Sequence, residues 1–128
     1  MIIEKIHTEK APAVIGTYSQ AMRMGNLLFL SGQIPINPAT AQLISDDIEL
    51  QIECVFKHIV TLLHAANTTV KHVAKLTVYL TDLTYFPLVN RVMATHFSEP
   101  YPARAVIGVN ALPKNSRVEI DAVAVLDA

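Results

Sequence analysis

The apolar positions of the chain follow two periodicities, one helical and one extended. Between Asp46 and Asn67 the apolar residues recur every three or four positions, which places them on one face of a helix. Asp46 suits the N-cap, Glu49 three positions later completes a capping-box pair, and Asn67 suits the C-terminal stop. A second helix is predicted to begin near Thr84, with Pro87 tolerated in its first turn.

Alternating and continuously apolar segments predict six strands. Gly25-Asn26 separates the second strand from the third, and glycine at the first central position suits a type II′ hairpin turn. The predicted strands are Ile2–Ile6, Ala21–Met24, Leu27–Gln33, Lys75–Leu80, Ala103–Val109 and Arg117–Leu126.

The last two predicted strands are apolar on both faces. Residues 105–109 are Ala-Val-Ile-Gly-Val, and residues 122–126 are Ala-Val-Ala-Val-Leu. Strands of this kind are covered on both sides of their sheet, whereas two helices cover only one side. We therefore predict that the second sheet face is buried against other subunits of a homo-oligomer, with ligand sites at the subunit seams.

Composition and charge restrict the function classes. The 128 residues predict a single domain, 1–128, and the balance of 10 Lys and Arg against 11 Asp and Glu argues against a nucleic-acid binder. No apolar stretch has the length of a membrane span, and the N-terminus lacks the layout expected of a signal peptide. Because Cys54 is the single cysteine, no intrachain disulfide is expected and the cytoplasm is the expected location.

Arg104 is the charged residue that the hydrophobic pattern does not explain. It lies at the start of an otherwise apolar strand, where a cation needs an anionic partner. A guanidinium binds a carboxylate through two parallel hydrogen bonds, so a small substrate with a carboxylate is one interpretation. The other interpretation is an ion pair within the chain, for example with Glu119 or Asp121.

Further polar residues lie on or near the predicted strands. Glu119 and Asp121 share one face of the last strand, where a carboxylate can orient or deprotonate a water; solvated or ion-paired acids are the alternative. Ser31 and Gly32 end the third strand and either bind a carboxylate or oxyanion, or simply form the strand exit. Tyr18 lies in a polar loop and either packs over a planar substrate or caps the edge of the core.

Metal and cofactor chemistry have little support in the sequence. Cys54 and His58 are four residues apart on the first helix, which is a metal-compatible spacing, but no third ligand follows at a recognisable spacing. We therefore expect a structural or solvent-facing histidine and no reactive thiol. The chain contains no P-loop, GxGxxG, GxSxG or CxxC motif.

Five segments together resemble the Rid (reactive intermediate deaminase, or YjgF) family over nearly the whole chain. The resemblance implies a chorismate-mutase-like α+β fold, with a mixed sheet of about six strands and two long helices on one face. It also implies a barrel-like homotrimer with three clefts between subunits. The segments are residues 11–21, 31–38, 82–90, 102–104 and 112–125.

The resemblance also implies an activity. Such proteins hydrolyse reactive 2-enamines and 2-imines, such as 2-aminoacrylate and 2-aminocrotonate, to 2-oxo acids and ammonia, without a metal or cofactor. By position, Arg104 matches the arginine that binds the substrate carboxylate, and Glu119 matches the acid that positions or activates water. Tyr18, Ser31 and Gly32 match substrate-binding residues from the neighbouring side of the cleft.

The resemblance leaves some positions and function classes open. Asn90 matches a motif residue for which we expect a structural role. Val106 stands where close relatives often have cysteine, and Thr17 where a proline usually precedes the loop tyrosine; we expect both to alter substrate size preference rather than abolish activity. The alternatives are a non-enzymatic, small-molecule-binding regulatory trimer and, against the charge balance, a ribonuclease or translation inhibitor.

Overall fold

The computed structural model describes residues 1–127, which form one six-stranded mixed sheet and two α-helices. The elements are β1 Ile3–Ile6, β2 Ala21–Met24, β3 Leu27–Gln33, α1 Ile48–Ala65, β4 Val73–Leu80, α2 Phe86–His96, β5 Ala103–Gly108 and β6 Val118–Val125. The strand order is β1-β2-β3-β6-β4-β5, and only the β4–β5 pair is parallel among the pairs of this sheet. This α+β arrangement confirms the predicted strands and helices.

The first helix begins one residue later than predicted. Asp47 is the N-cap, since its carboxylate accepts a hydrogen bond from the Leu50 amide at 2.9 Å. The prediction of Asp46 was wrong because two consecutive aspartates both suit a cap, and the extended backbone of the second one places its side chain over the first turn. Asn67 has a φ of 61°, which confirms the predicted left-handed stop.

A short 3-10 turn at Leu83–Tyr85 precedes the second helix. Asp82 accepts hydrogen bonds from the amide and the hydroxyl of Thr84, at 2.9 and 2.7 Å. The turn therefore begins where the helix was predicted, but α2 itself begins at Phe86. Pro87 lies in the first turn of α2, where its missing N–H leaves no intrahelical bond unmade.

The hydrophobic core lies between the two helices and one face of the sheet, which we call the helix side. Leu76, Val78 and Leu80 of β4 are fully buried there, and their ladder partners on β6 are buried as well. Burying one such side chain contributes about 1.5–3 kcal/mol relative to leaving it exposed. Among residues 1–127, no helix combines the length and the apolar character needed to cross a membrane.

The opposite sheet face, which we call the open face, has no helix over it. Large apolar side chains remain exposed there, and four of them pair in register as one row across β1, β2, β3 and β6. A protomer therefore presents the kind of apolar surface that marks an interaction site. The exposed apolar residues of the open face are Ile3, Met24, Leu27, Phe29, Ile107 and Val125.

The β2–β3 hairpin forms as predicted. Met24 pairs with Leu27 across the two-residue loop, and Gly25 has a φ of 65°. A positive φ at the first central position is what a type II′ turn requires, and glycine adopts it without steric cost. The hairpin thereby fixes the register of the apolar row on the open face.

Candidate functional site

Three side chains of α2 hold Arg104 in place. Asn90 accepts a hydrogen bond from Nη1 of Arg104 at 2.7 Å, and Met93 Sδ lies 3.7 Å from the same nitrogen. The Cζ atom of Arg104 lies 5.4 Å from the centre of the Phe86 ring, a cation–π distance. Because residues 86, 90 and 93 recur at helical spacing, one face of α2 supplies all three contacts.

The ion pair that we considered for Arg104 within its own chain does not form. Among residues 1–127, no carboxylate oxygen lies within 4.0 Å of its guanidinium. In register, Arg104 is opposite Leu76 on the helix side, whereas Glu119 is opposite Tyr79 on the open face. Pairing with Glu119 or Asp121 is therefore wrong for the protomer, since these acids lie on the other face of the sheet.

A cavity of about 480 Å³ opens beside Arg104. Its walls are mostly apolar, with the guanidinium and the Asn90 amide as the polar groups. Apolar walls with a few fixed polar groups are typical of small-molecule sites. A guanidinium in such a cavity can bind an anionic group. The lining residues are Asn90, Met93, Ala94, Tyr101, Pro102 and Arg104.

Glu119 occupies a space that exists because residue 32 is glycine. A Cβ atom added at Gly32 would overlap Oε2 of Glu119 and would lie 2.8 Å from its Cδ. The sequence suggested that this glycine admits a ligand, whereas in the protomer it is the Glu119 side chain that approaches it. Gly32 thus sets the position of the carboxyl group directly.

Two further polar side chains surround Glu119 on the open face. Tyr79, its ladder partner on β4, donates a hydrogen bond to Oδ2 of Asp121 at 3.1 Å. Burial raises the pKa of Glu119 above its usual value of 4.5, and the charge of Asp121 raises it further. Glu119 therefore holds a proton more readily than a solvated glutamate does, and a shift in this direction is what general acid–base catalysis by a carboxyl group requires.

A second cavity, of about 440 Å³, opens over Glu119. Tyr18, Gly32 and Lys114 line it together with apolar residues of the loops that follow β1 and β3. The hydroxyl of Tyr18 lies 3.5 Å from the Ile15 amide, so the ring is attached to its own loop. This cavity combines an acid, a cation and an exposed aromatic ring.

Ser31 makes its hydrogen bonds within its own chain in the protomer. Its hydroxyl donates to the Ser19 carbonyl, and its amide donates to the Gln20 carbonyl at 3.0 Å. It lies outside the residues that line the second cavity. In the protomer, Ser31 therefore fastens the loop that carries Tyr18, and only its oxygen lone pairs are available to a ligand.

One protomer does not bring all of the candidate residues together. Tyr18, Gly32 and Glu119 line one cavity, while Arg104 lines the other, and β4 separates β5 from β6 in the sheet. Arg104 and Glu119 therefore do not line the same cavity of one protomer.

Some contributors were not apparent from the sequence. Phe86 is the first residue of α2, is 40% exposed and lies beside Arg104. Tyr101 stands in a loop and Lys114 in the short 3-10 turn Pro113–Asn115, and neither segment has a periodic signal. Val106, which stands where close relatives often have cysteine, lies on the helix side and packs against the core.

The Cys54–His58 pair has a structural role. Cys54 Sγ lies 3.3 Å from Nε2 of His58, and that nitrogen lies 2.8 Å from the Ile36 carbonyl oxygen. Burial lowers the pKa of His58 and raises that of Cys54, so the uncharged forms are favoured. In the part of the chain that the structure describes, no three His, Cys, Asp or Glu residues are grouped to hold a metal.

Comparisons with known proteins give one consistent family. Residues 8–126 match the family described as Endoribonuclease L-PSP. The chain is 48% identical over 122 residues to the RutC family protein y4sK of Sinorhizobium fredii, covering 95% of this chain and 97% of that protein. It is 42% identical over 125 residues to the 2-iminobutanoate/2-iminopropanoate deaminase of Mus musculus, covering 97% and 93%.

Solved structures agree with the sequence comparisons. RidA from an Antarctic Psychrobacter species superposes with a TM-score of 0.92 at 43% identity, covering 96% of this chain and 99% of that one. E. coli TdcF with bound serine superposes with a TM-score of 0.91 at 35% identity, covering 97% and 99%. The match over residues 8–126, together with these relatives, shows that the chain belongs to the Rid family, to which its segments were likened from the sequence alone.

Proposed function

We propose that this protein hydrolyses reactive 2-imines and 2-enamines, such as 2-aminoacrylate and 2-aminocrotonate, to 2-oxo acids and ammonia. The observation that carries the proposal is Arg104, which α2 holds by a neutral amide and an aromatic ring rather than by a carboxylate. Such a guanidinium suits the carboxylate of an imino acid. Relatives about 40% identical are named for this activity.

We further propose that the active assembly is a chorismate-mutase-like homotrimer with its clefts at the subunit seams. Two features support this assembly: the apolar row on the open face is uncovered in one protomer, and the cavities of Arg104 and Glu119 are separate. In each cleft, Arg104 of one subunit faces Glu119, Gly32 and Tyr18 of the next subunit. In that next subunit, Ser31 holds the loop that carries Tyr18 through its hydrogen bonds to the carbonyls of Ser19 and Gln20.

The proposed chemistry needs one cation and one carboxyl group. Arg104 binds the substrate carboxylate, and Glu119 accepts a proton from water as the water oxygen bonds to C2 of the protonated imine. The π electron pair of the C=N bond moves to nitrogen, giving a carbinolamine. Glu119 then returns its proton to nitrogen, the C–N bond breaks to release ammonia, and the hydroxyl proton leaves to solvent as the C=O bond forms.

Two observations favour a second candidate, a regulatory trimer that binds small molecules without turnover. A solved relative, TdcF of E. coli, is described with bound serine, and the cavity beside Arg104 has the apolar walls of a binding site. The family description also names an endoribonuclease. The net charge of −1 does not favour RNA, and RNA affinity with a steep salt dependence would be needed to support that activity.

The test is a coupled assay in which a threonine or serine dehydratase generates the imines and the release of 2-oxo acid is followed. We expect the wild-type protein to accelerate release and Arg104→Ala to lose about 10²- to 10³-fold in kcat/KM, because truncating a charge-paired group costs about 2–5 kcal/mol. Arg91→Ala is the matched control, since Arg91 lies on the exposed side of α2 and pairs with Glu49.

Either failure of this assay is informative. If the folded wild-type trimer does not accelerate release, the deaminase proposal is wrong and binding without turnover becomes the leading candidate. If Arg104→Ala is as active as Arg91→Ala, the protein is a deaminase that does not use Arg104 in the proposed role.

A further inference from the structure

Asp121 and Tyr79 form a polar pair immediately beside Glu119. Glu119 and Asp121 alternate onto the same face of β6, about 7 Å apart along the strand. Tyr79 is the ladder partner of Glu119, yet its hydroxyl donates diagonally to Asp121 Oδ2 at 3.1 Å. Tyr79 therefore lies next to Glu119 and fixes the orientation of Asp121.

The pair is only partly solvated. Tyr79, Glu119 and Asp121 are each half-buried in the protomer, so charges there interact more strongly than in bulk water. Two carboxyl groups that share one site resist simultaneous ionisation. The charge of Asp121 therefore adds to burial in raising the pKa of Glu119, while the hydrogen bond from Tyr79 fixes the direction of the Asp121 carboxyl group.

We propose that Asp121, oriented by Tyr79, is a positioning residue that keeps the Glu119 carboxyl able to exchange a proton with water and with the departing ammonia. The proposal rests on the function proposed above and deepens it. Asp121 does not touch the substrate in this account, because it is not among the residues that line the cavity over Glu119. It acts only through its charge.

The cations around this pair do not neutralise it. Lys75 of β4 is on the open face, Arg117 precedes β6 and is hydrogen-bonded to the Tyr85 hydroxyl at 3.3 Å, and Lys114 lines the cavity. None of the three is within 4.0 Å of a carboxylate oxygen in the described chain. On β3, the nearest neighbour of Glu119 is Gly32, which carries no charge. The like charge of Asp121 therefore acts on Glu119 without a salt-bridged counterion.

The test compares Asp121→Asn, Tyr79→Phe and the control Asp46→Asn in the assembled protein. Asparagine retains an oxygen that accepts from Tyr79 but removes the charge, whereas Asp46 is an exposed acid in the loop before α1, so its change removes the same charge outside the sheet. The first readout is the titration of the Glu119 carboxyl carbon by NMR, which does not depend on activity. The second is the pH profile of kcat/KM.

We expect Asp121→Asn to move the Glu119 titration to lower pH, Tyr79→Phe to change it less, and Asp46→Asn to leave it in place. The acid limb of the pH profile of kcat/KM is expected to move in the same direction as the Glu119 titration. At pH 7, kcat/KM is expected to fall about threefold to tenfold in Asp121→Asn, a fraction of the roughly 10²- to 10⁴-fold that general acid–base catalysis supplies.

The two readouts separate this proposal from the function on which it rests. A Glu119 titration that is the same in Asp121→Asn and in wild type overturns the role of Asp121. A titration that moves while the pH profile stays fixed supports the charge coupling but overturns the use of Glu119 in catalysis.

Discussion

The two halves of the candidate site are built on opposite principles. The Arg104 half is held from outside its strand, because α2 supplies an amide, a thioether and an aromatic ring to a cation at the edge of the sheet. The Glu119 half is set from within the sheet, by the missing side chain at Gly32 and by the neighbouring acid Asp121. The Arg104 half can therefore bind and orient an anionic ligand, whereas the Glu119 half can exchange a proton.

This contrast explains how a small chain can carry both functions. A cation and a carboxylate within one protomer would pair with each other and lose their capacity for a ligand. Placing them on opposite faces of the sheet prevents that pairing, and in the proposed trimer the two groups meet in a cleft between subunits. The predictions below change one half at a time.

Among variants that keep both Arg104 and Glu119, the largest effect is expected from filling the space beside Glu119. Gly32→Ala places a methyl group where the carboxylate lies, and a flexible side chain of this kind moves aside with little loss of stability. We expect kcat to fall about 10²-fold with a nearly unchanged melting temperature. Gly108→Ala is the matched control, since its methyl would meet only the side chain of Leu83, at 3.1 Å. Wild-type kcat in Gly32→Ala would contradict the positioning role of this glycine.

A smaller effect, confined to binding, is expected from the Arg104 half. Asn90→Asp turns the 2.7 Å hydrogen bond into an ion pair and gives Arg104 the internal carboxylate that it lacks. We expect KM to rise about tenfold, because the substrate carboxylate then competes with Asp for the guanidinium. Asn90→Ala removes only the hydrogen bond that holds Arg104 in place, so we expect it to raise KM less. Steady-state kinetics check both, and a change in kcat rather than KM would contradict the separation of the two halves.

The smallest effect is on stability. The pKa of Glu119 is raised in the folded state, so the native state holds this proton more tightly than the unfolded chain. The stability that this shift contributes is fully present below the pKa of Glu119 in the unfolded chain. It is lost as pH rises through the pKa of Glu119 in the folded protein. Glu119→Gln cannot ionise, so it should match wild type near pH 4 and melt higher at pH 8.

The half-exposed position of Glu119 allows solvent screening, which keeps the expected gain small, about 2–4 °C for a chain of this size. Thermal unfolding of both proteins is measured at the same protein concentration, because assembly makes the melting temperature concentration-dependent. A variant that melts lower than wild type at pH 8 would show that the Glu119 carboxylate stabilises the fold.

The sequence was sufficient for the elements but not for the geometry of the site. Periodicity located both helices and all six strands, since each element repeats a local pattern. It misplaced the cap at Asp46, because an adjacent aspartate suits a cap equally well. The unusual cation at Arg104 was also visible locally, as a charge in an apolar strand.

Contacts between distant segments were not visible in the same way. Gly32 and Glu119 are on β3 and β6, and Arg104 and Asn90 belong to different elements. Such contacts depend on register and strand order, for which a single sequence carries little signal. The insertion of β6 between β3 and β4 decides which candidate residues share a cavity.

The most direct test of the account is whether two inactive variants restore each other. Arg104→Ala and Glu119→Gln chains are unfolded together, refolded as mixed trimers and compared with each variant refolded alone in the coupled assay. If every cleft takes Arg104 from one subunit and Glu119 from the next, random mixing yields about a quarter of the wild-type activity, as a heterologous interface requires. Mixed trimers that form, as native mass measurement shows, but remain as inactive as the parents would contradict the shared site.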